Sequence, residues 1–303
     1  MEGRSEMSGF AERHKYACVV LNYNNAAECL EYVDNISKMG IYDLIVVVDN
    51  NSPDNSYERL KELSSDTIIV VKESENRGYG AGNNAGVRIA YEHGCDIAFI
   101  SNSDVSYDPS CVLAIRNCFD IYEDAAVCSA IQRNGYSKEI LKDSAWDLPT
   151  YSEYITSSFI FLNRRFHRSI PYANVPYLRV DCVSGAFLAV RIKPFLDVGG
   201  YDERIFLYCE ETILGSKLKQ HGMATYICCQ EEYIHYESGT ITKNIPNSIK
   251  RFQMVLNNRL FYMEHYLRVP RFKYLFAKMC FWLAVKERYL QYYYRKQKYK
   301  NVV

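Results

Sequence analysis

The feature that most constrains the fold of this chain is a series of short apolar runs, each ending abruptly in polar residues. Helix-like segments separate the runs, which are Tyr16 to Leu21, Leu44 to Val48, Thr67 to Val71 and Ile97 to Ile100. Strands spaced in this way are typical of βαβ units, which place them parallel in one sheet. The sequence therefore predicts an α/β protein with a mainly parallel, Rossmann-like sheet flanked by helices. The polar residues should converge at the carboxyl edge of that sheet, where open α/β sheets bind their ligands.

The polar cluster after the fourth run is Ser101-Asn102-Ser103-Asp104. Asn102 and Asp104 stand two positions apart, so an extended backbone points both side chains to the same side. Two oxygen donors aimed at one point suit a hard divalent cation that also binds a diphosphate. The alternative is a strand end with turn-forming residues and no ligand, because Asn, Ser and Asp favour turns in any case.

A glycine-rich segment follows the third run and contains Gly78, Gly80 and Gly82. Its G-x-G-x-G spacing and its place after the third strand differ from a dinucleotide fingerprint, and no Gly-Lys-Ser/Thr follows as in a Walker A loop. These differences exclude the NAD and P-loop interpretations. The segment instead predicts a loop that lets the backbone approach a ligand closely, with Arg77 available to a phosphate.

The second half of the chain is less regular. Residues Gly135 to Pro176 show weak periodicity and many aromatic residues, which is typical of a mobile or substrate-facing insertion. Within it, the basic run Arg164 to Arg168 is interpreted as a solvated face. A strand is predicted from Val180 to Val190, interrupted by a glycine, and another from Ala224 to Cys229.

Two adjacent carboxylates, Glu210 and Glu211, open a predicted helix that continues to Gly222. Carboxylates at a helix N-terminus suit the helix dipole, so a structural role is available to them. Since adjacent helical residues diverge by about 100°, one of the two could face a cleft while the other braces it. His235 gains significance only if it lies near Asp104.

The segment from Pro246 onwards is helical in character and combines an apolar patch with a basic flank. The apolar residues are Leu275, Phe276, Met279, Cys280, Phe281, Trp282, Leu283 and Val285. Such a helix can lie in a membrane interface, with Lys and Arg facing phospholipid. It can equally pack on the parent domain with a basic tail.

Composition excludes several classes of protein. The formal net charge is zero, so no overall field attracts nucleic acid. Eleven cysteines without CxxC pairs suit buried thiols in a reducing cytosol. Residues Met1 to Lys15 lack the apolar core of a signal peptide, and no apolar run reaches the ~20 residues that span a bilayer. We therefore expect a cytoplasmic protein, with the C-terminal segment as the candidate for peripheral attachment to the cytoplasmic face of a membrane.

In their order along the chain, these clusters resemble the motifs of family 2 glycosyltransferases with the GT-A fold, in the non-processive rhamnosyltransferase-like group. The resemblance runs from about residue 16 to 240. It is carried by Leu21-Asn22-Tyr23-Asn24, Val48-Asp49-Asn50-Asn51-Ser52, Asn76 to Asn84, Asn102-Ser103-Asp104, Ser184-Gly185-Ala186, Phe206 to Glu211 and His235. It implies a GT-A domain over residues 1–245, with a nucleotide-binding half at about 16–133, an acceptor half at about 134–245 and a C-terminal helical segment at 246–303.

The resemblance also implies how the donor binds. The residues expected to hold the nucleotide and its sugar are Asn22, Tyr23, Asn24, Asp49, Asn51, Arg77, Gly78, Gly80, Asn83, Asn102, Ser103 and Asp104. Among them Asp49 would read the base. Asn102 replaces the first acid of the family's DxD motif, so Asp104, helped by His235, would bind Mn²⁺ or Mg²⁺.

For the acceptor, the resemblance implies contacts from Ser184, Gly185, Ala186 and Tyr208. Glu211 stands where the family has its catalytic Asp, and Glu210 would hold it or bind acceptor hydroxyls. A second family Asp is Ile213 here. The QxxRW motif of processive synthases is missing, which favours addition of a single sugar.

The expected function is an inverting transfer of one sugar from a UDP- or dTDP-sugar to a hydroxyl of a glycan or lipid-linked saccharide, in cell-surface polysaccharide synthesis. General-base help to the acceptor hydroxyl typically contributes about 10²–10⁴-fold. Two other classes remain open. One is a sugar-1-phosphate nucleotidyltransferase, which should carry a Gly-rich basic signature near the first strand. The other is a non-catalytic partner protein that keeps the fold, which the Asn102 and Glu211 departures allow.

Overall fold

The computed structural model describes residues 14–162, 174–236, 239 and 243–300, with the backbone alone for 295, 296 and 298–300. The predicted basic run Arg164 to Arg168 lies outside the described residues.

Strands and helices alternate through the first half of the chain and are less regular in the second. The strands are β1 (Tyr16–Asn22), β2 (Leu44–Asp49), β3 (Ile68–Lys72), β4 (Ile97–Ser101), β5 (Val105–Tyr107), β6 (Ala125–Asn134), β7 (Ala145–Trp146), β8 (Tyr177–Val180), β9 (Cys182–Val183), β10 (Phe187–Arg191) and β11 (Ala224–His235). The α-helices are α1 (Ala26–Met39), α2 (Ser56–Lys61), α3 (Tyr79–Glu92), α4 (Pro109–Ile121), α5 (Tyr151–Thr156), α6 (Ile192–Asp197), α7 (Glu210–Gln220), α8 (Ser248–His265) and α9 (Arg271–Lys300).

One large sheet organises the domain. Its order is β3-β2-β1-β4-β10-β6-β11-β5, and β8 pairs with β11 beside this path. The strands β3, β2, β1 and β4 are parallel to one another, so their carboxyl ends lie at one edge, as the sequence predicts. The bounds of all four strands agree with the predicted apolar runs to within one residue at each end. The apolar runs mark the strands well because every residue of β2 and β4, and most of β1, is buried in the sheet.

The other half of the sheet is mixed. Strand β10 is antiparallel to both β4 and β6. Strand β11 is parallel to β6 but antiparallel to β5 and β8. Two predicted boundaries differ here. The strand predicted from Ala224 to Cys229 continues to His235. Its pairing with β6 shifts register between Cys228 and Glu232, and the strand resumes after this irregularity. The strand predicted from Val180 to Val190 is divided among β8, β9 and β10, with breaks at residue 181 and at residues 184–186.

Two hydrophobic cores cover the faces of the sheet, and a third joins the C-terminal helices to the domain. In the third core Leu256 of α8 and Phe281 of α9 lie in the same cluster as Ile205 and Ile213. All eleven cysteines lie among the described residues and are free thiols. Among the described helices, none combines the length and apolar character needed to cross a bilayer.

Candidate active site

A cavity of about 750 Å³ lies at the carboxyl edge of the parallel strands. Its walls come from the ends of β1, β2 and β4, from the start of α3, from the break before β10, and from residues on both sides of the α7 N-terminus. The wall therefore contains side chains that are far apart in sequence. This is the position at which open α/β sheets bind ligands.

Asp104 and His235 are adjacent in this cavity. His235 Nε2 lies 3.1 Å from Asp104 Oδ1, and both side chains are largely buried. The contact arises because β5 begins directly after Asp104 and pairs with the end of β11, with His235 opposite Val105. Behind the pair, the Gln132 side-chain amide lies 3.0 Å from His235 Nδ1, and the Tyr233 hydroxyl is hydrogen-bonded to the same amide at 3.0 Å. This second layer of hydrogen bonds holds the imidazole in one orientation.

The ends of β1 and β2 are joined by a buried hydrogen-bond network around Asp49. Its Oδ1 accepts from Asn22 Nδ2 at 2.8 Å and from Ser52 Oγ at 2.6 Å, and its Oδ2 accepts from Ser52 N at 3.0 Å. Asp49 is fully buried, so in this structure its carboxylate supports the strand ends while Asn22 lines the cavity.

The predicted close approach of the glycine-rich loop occurs at Gly78, whose φ is +99°. A Cβ on this residue would lie 2.0 Å from the carbonyl oxygen of Phe206, so a side chain there is excluded. The Phe206 oxygen also accepts from Tyr79 N at 3.0 Å. In this way the loop packs directly on the segment that leads into Glu210.

Glu210 and Glu211 both line the cavity at the first turn of α7. Burial, together with the neighbouring Glu211 carboxylate, raises the pKa of Glu210 to about 8. Burial also raises the pKa of Glu211, against hydrogen bonds from backbone amides that include Gly185. A Cβ on Gly185 would lie 2.5 Å from Glu211 Oε1, so a side chain at this position would displace the carboxylate. The Tyr79 hydroxyl donates to Gly185 O at 2.6 Å and fixes the same turn.

Most of the predicted site residues line this one cavity. They are Asn22, Tyr23, Gly78, Asn102, Ser103, Asp104, Ser184, Gly185, Ala186, Tyr208, Glu210, Glu211 and His235. The remaining predicted residues, Asn24, Asp49, Asn51, Arg77, Gly80 and Asn83, are not part of its wall.

Specific contacts explain these differences. Arg77 was expected to be available to a phosphate, but its Nη1 lies 2.7 Å from Glu203 Oε2. Asn83 is buried and donates to the Tyr79 carbonyl oxygen at 3.0 Å. Gly80 is buried and packs against the side chains of Tyr201 and Glu210. Asn51 donates to the Ser74 carbonyl oxygen at 3.1 Å, outside the cavity.

The cavity wall also contains residues that the sequence patterns did not predict as part of the site. Glu28 accepts from Ser103 Oγ at 2.9 Å and from Asn25 Nδ2 at 2.8 Å. Gln132 follows the apolar part of a strand, a signal that could have identified it. Arg251 comes from α8 and has no local signal.

A sequence model described as Glycosyl transferase family 2 matches residues 17–187, which is more than half of the chain. The chain belongs to glycosyl transferase family 2. The match extends from β1 to the start of β10. It therefore includes Asn102 and Asp104 but neither the glutamate pair nor His235.

Three curated proteins illustrate the similarity. A UDP-N-acetylglucosamine–dolichyl-phosphate N-acetylglucosaminyltransferase of Methanococcus voltae is 30% identical over 105 residues, which are 30% of this chain and 41% of the relative. A dolichol-phosphate mannosyltransferase of Pyrococcus furiosus is 26% identical over 50% of this chain and 40% of its own length. The rhamnosyltransferase WbbL of Escherichia coli is 22% identical over 61% of this chain and 75% of its own length. The first two matches thus span less than half of those relatives.

Among solved structures, this glycosyl transferase family 2 member is similar to GalNAc-T7, crystallised with UDP, GalNAc and Mn²⁺. The TM-score is 0.57 at 14% identity, over 83% of this chain and 51% of that one. The likeness shows that the domain has the GT-A fold, as predicted.

Proposed function

We propose that the protein is an inverting glycosyltransferase that moves one sugar from a nucleotide diphosphate sugar to a hydroxyl of a saccharide or lipid-linked saccharide. The observation that carries this proposal is that two pairs of residues suited to this chemistry line the same cavity. Asp104 and His235 come from the segment after β4 and the end of β11, and Glu210 and Glu211 from the start of α7. Family membership and the GT-A fold support the same reaction class.

Glu211 is the proposed general base. An acceptor hydroxyl is a weak nucleophile near neutral pH, and a base works best when its pKa lies near the operating pH. Burial raises the pKa of Glu211 in that direction. Its carboxylate takes the hydroxyl proton as the oxygen attacks the anomeric carbon, and the bond from that carbon to the diphosphate breaks on the opposite face. One direct displacement of this kind inverts the anomeric centre.

Glu210 is proposed to hold a proton beside this base. Its side chain is 3% exposed and its pKa is raised to about 8. Two neighbouring carboxylates in a poorly solvated site do not both ionise readily, because each charge disfavours the other. A neutral Glu210 leaves the negative charge on Glu211, where proton transfer takes place.

Asp104 and His235 are proposed to hold Mn²⁺ or Mg²⁺, which would neutralise charge on the departing diphosphate. The residue types fit such a cation, since a carboxylate oxygen and an imidazole nitrogen lie side by side. Within the described residues no group of three or more His, Cys, Asp or Glu could hold a metal. The pair would therefore supply two ligands and leave positions for diphosphate oxygens and water.

The charge of the cavity supports the need for a cation. With Glu210 neutral, the described wall of the cavity still contains the carboxylates of Glu28, Asp104 and Glu211, against the guanidinium of Arg251. An anionic diphosphate entering beside these groups would be repelled without a counter-charge. A divalent cation would supply that charge.

The acceptor and the place of action are proposed from α9 and from the relatives. Exposed apolar side chains recur along one face of α9, namely Phe272, Leu275, Phe276, Met279, Leu283 and Leu290. The helix also carries nine Lys or Arg residues and one acidic residue, Glu287. This combination suits the surface of an anionic membrane. Relatives whose names contain dolichyl phosphate or dolichol phosphate support a lipid-linked acceptor. We propose that the transferred sugar becomes part of a cell-surface glycan.

The test is a thermal-shift screen of sugar nucleotides with and without Mn²⁺, followed by transfer assays with the donors that bind. We expect a rise in melting temperature that depends on Mn²⁺, and release of nucleoside diphosphate when an acceptor is added. Release of pyrophosphate from a nucleoside triphosphate and a sugar 1-phosphate would instead indicate a nucleotidyltransferase. Donor binding without transfer or hydrolysis would indicate a non-catalytic partner.

A further inference from the structure

The turn from Phe206 to Cys209, which leads into the glutamate pair, has an unusual backbone. Tyr208 has a φ of +73° and Cys209 a φ of +77°. Two consecutive side-chain-bearing residues in the left-handed region are uncommon, and such conformations persist only where the surroundings hold them. Since Glu210 follows directly, the direction in which α7 begins depends on this turn.

Two separate elements hold the turn. The first is the glycine-rich loop, where Tyr79 N donates to Phe206 O and a Cβ on Gly78 would collide with the same carbonyl oxygen. The second is α8, which contributes a single side-chain amide. Asn258 Nδ2 donates to Leu207 O at 2.6 Å and to Tyr208 O at 3.1 Å.

An asparagine amide suits this position because its NH₂ group has two hydrogens and can satisfy two carbonyls at once. These carbonyls precede α7, so the hydrogen bonds within that helix do not reach them. Helix α8 is fixed beside the turn because Leu256 and Leu260 are buried in the same core as Ile205 and Ile213. These isoleucines lie on either side of the turn in sequence.

We propose that Asn258 is a positioning residue for sugar transfer, which holds the Phe206–Cys209 turn in its left-handed conformation and thereby orients the carboxylates of Glu210 and Glu211. This inference rests on the proposed function of that pair. It makes the C-terminal helices part of the catalytic machinery. Without the amide, Tyr208 relaxes toward a right-handed backbone and Glu211 moves relative to Gly185.

The experiment compares Asn258→Leu and Asn258→Ala with the wild-type chain. Leucine keeps nearly the size of asparagine but cannot donate, and alanine removes the amide altogether. Asn257→Leu and Asn257→Ala are matched controls, because Asn257 is the same residue type, next along α8 and exposed. For each protein we would measure kcat, the KM for the donor, the pH profile of kcat, and UDP or dTDP binding with Mn²⁺ by calorimetry.

We expect kcat to fall about 100-fold in both Asn258 variants, because a misplacement of about 1 Å at a reacting group has that effect, while nucleotide binding changes less than about threefold. The pH at which kcat changes as the glutamate pair titrates should also shift. The Asn257 variants should match wild type. An unchanged kcat and pH profile in both Asn258 variants would overturn the proposal. So would loss of nucleotide binding together with activity, since Asn258 would then only support the fold.

A readout that needs no transfer separates this inference from the proposed function. If wild type transfers no sugar from any donor, the proposed function fails. The pH dependence of urea unfolding still reports the environment of Glu210, and Asn258→Ala adds no titrating group. We expect its slope between about pH 5 and pH 8 to differ from wild type. An identical slope means that Asn258 does not position the pair.

Discussion

His235 Nε2 lies 3.1 Å from Asp104 Oδ1, although one residue ends β11 and the other precedes β5. The register of these two antiparallel strands brings the pair together, and the hydrogen bond from Tyr236 N to Asp104 O at 2.9 Å extends it. His235 therefore lies next to Asp104, which is the condition that the sequence analysis sets for a functional role of this histidine.

Asp104→Ala should abolish metal-dependent binding of nucleoside diphosphate. Loss of a second-layer partner of a metal ligand typically costs 10–100-fold, so loss of a ligand should weaken binding of UDP or dTDP by about 100-fold or more. Calorimetry in saturating Mn²⁺ measures the effect. Asp108→Asn is the control, because Asp108 is exposed and outside the cavity. Equal affinity in Asp104→Ala and wild type would contradict the assignment.

Glu211→Gln should retain donor binding and lose transfer. The substitution keeps the shape of the side chain but removes the proton acceptor, which should lower kcat by about 10²–10⁴-fold. Single-turnover transfer and nucleotide calorimetry measure the two properties separately. Glu210→Gln is the matched comparison. Transfer that survives in Glu211→Gln while it is lost in Glu210→Gln moves the role of base to Glu210.

Glu210 should make the protein less stable as the pH rises. Its pKa is raised from 4.5 to about 8, so the folded chain retains a proton that the unfolded chain releases above about pH 4.5. Over that window the free energy of unfolding should fall with pH, by up to about 1.4 kcal/mol per pH unit. Above the folded pKa the loss is complete.

Urea unfolding at several pH values tests this dependence. Glu210→Gln removes the titrating group, so its stability should vary less between about pH 5 and pH 8 than that of wild type. Glu92→Gln serves as control because Glu92 is exposed at the end of α3. Parallel curves for wild type and Glu210→Gln would rule out the proposed protonation.

The exposed face of α9 should bind anionic membranes. Removing α9 would expose the core residues of α8 that cluster with it, such as Leu256 and Met263, so substitutions in the full chain give the cleaner test. Phe276→Gln with Met279→Gln should abolish flotation with phosphatidylserine or phosphatidylglycerol vesicles. Salt should also weaken flotation, since each Lys or Arg near such a surface contributes about 1 kcal/mol.

Leu113→Gln is the control for this experiment, because Leu113 is an exposed apolar residue on a different helix, α4. It should float like wild type. If wild type does not float at low salt, or if the α9 variant floats equally well, the exposed face of α9 has another role.

The sequence by itself determined the parallel half of the fold and the residue types at its edge. Strands β1 to β4 are recognisable because buried parallel strands are nearly continuous apolar runs, a property of each local segment. The polar residues at their ends and the glutamates that open α7 are equally local. For that reason Asn102, Asp104, Glu210 and Glu211 could be named before the structure.

Only the tertiary structure decided which of these side chains share the cavity. Asp49 turns inward because Asn22 and Ser52 lie next to its carboxylate, and Arg77 turns away because Glu203 lies within reach. His235 meets Asp104 because β11 continues past an irregularity that no apolar pattern marks. Asn258 reaches the turn before Glu210 through the packing of α8. Such pairings depend on strand register and on contacts between distant segments, and a local sequence pattern carries neither.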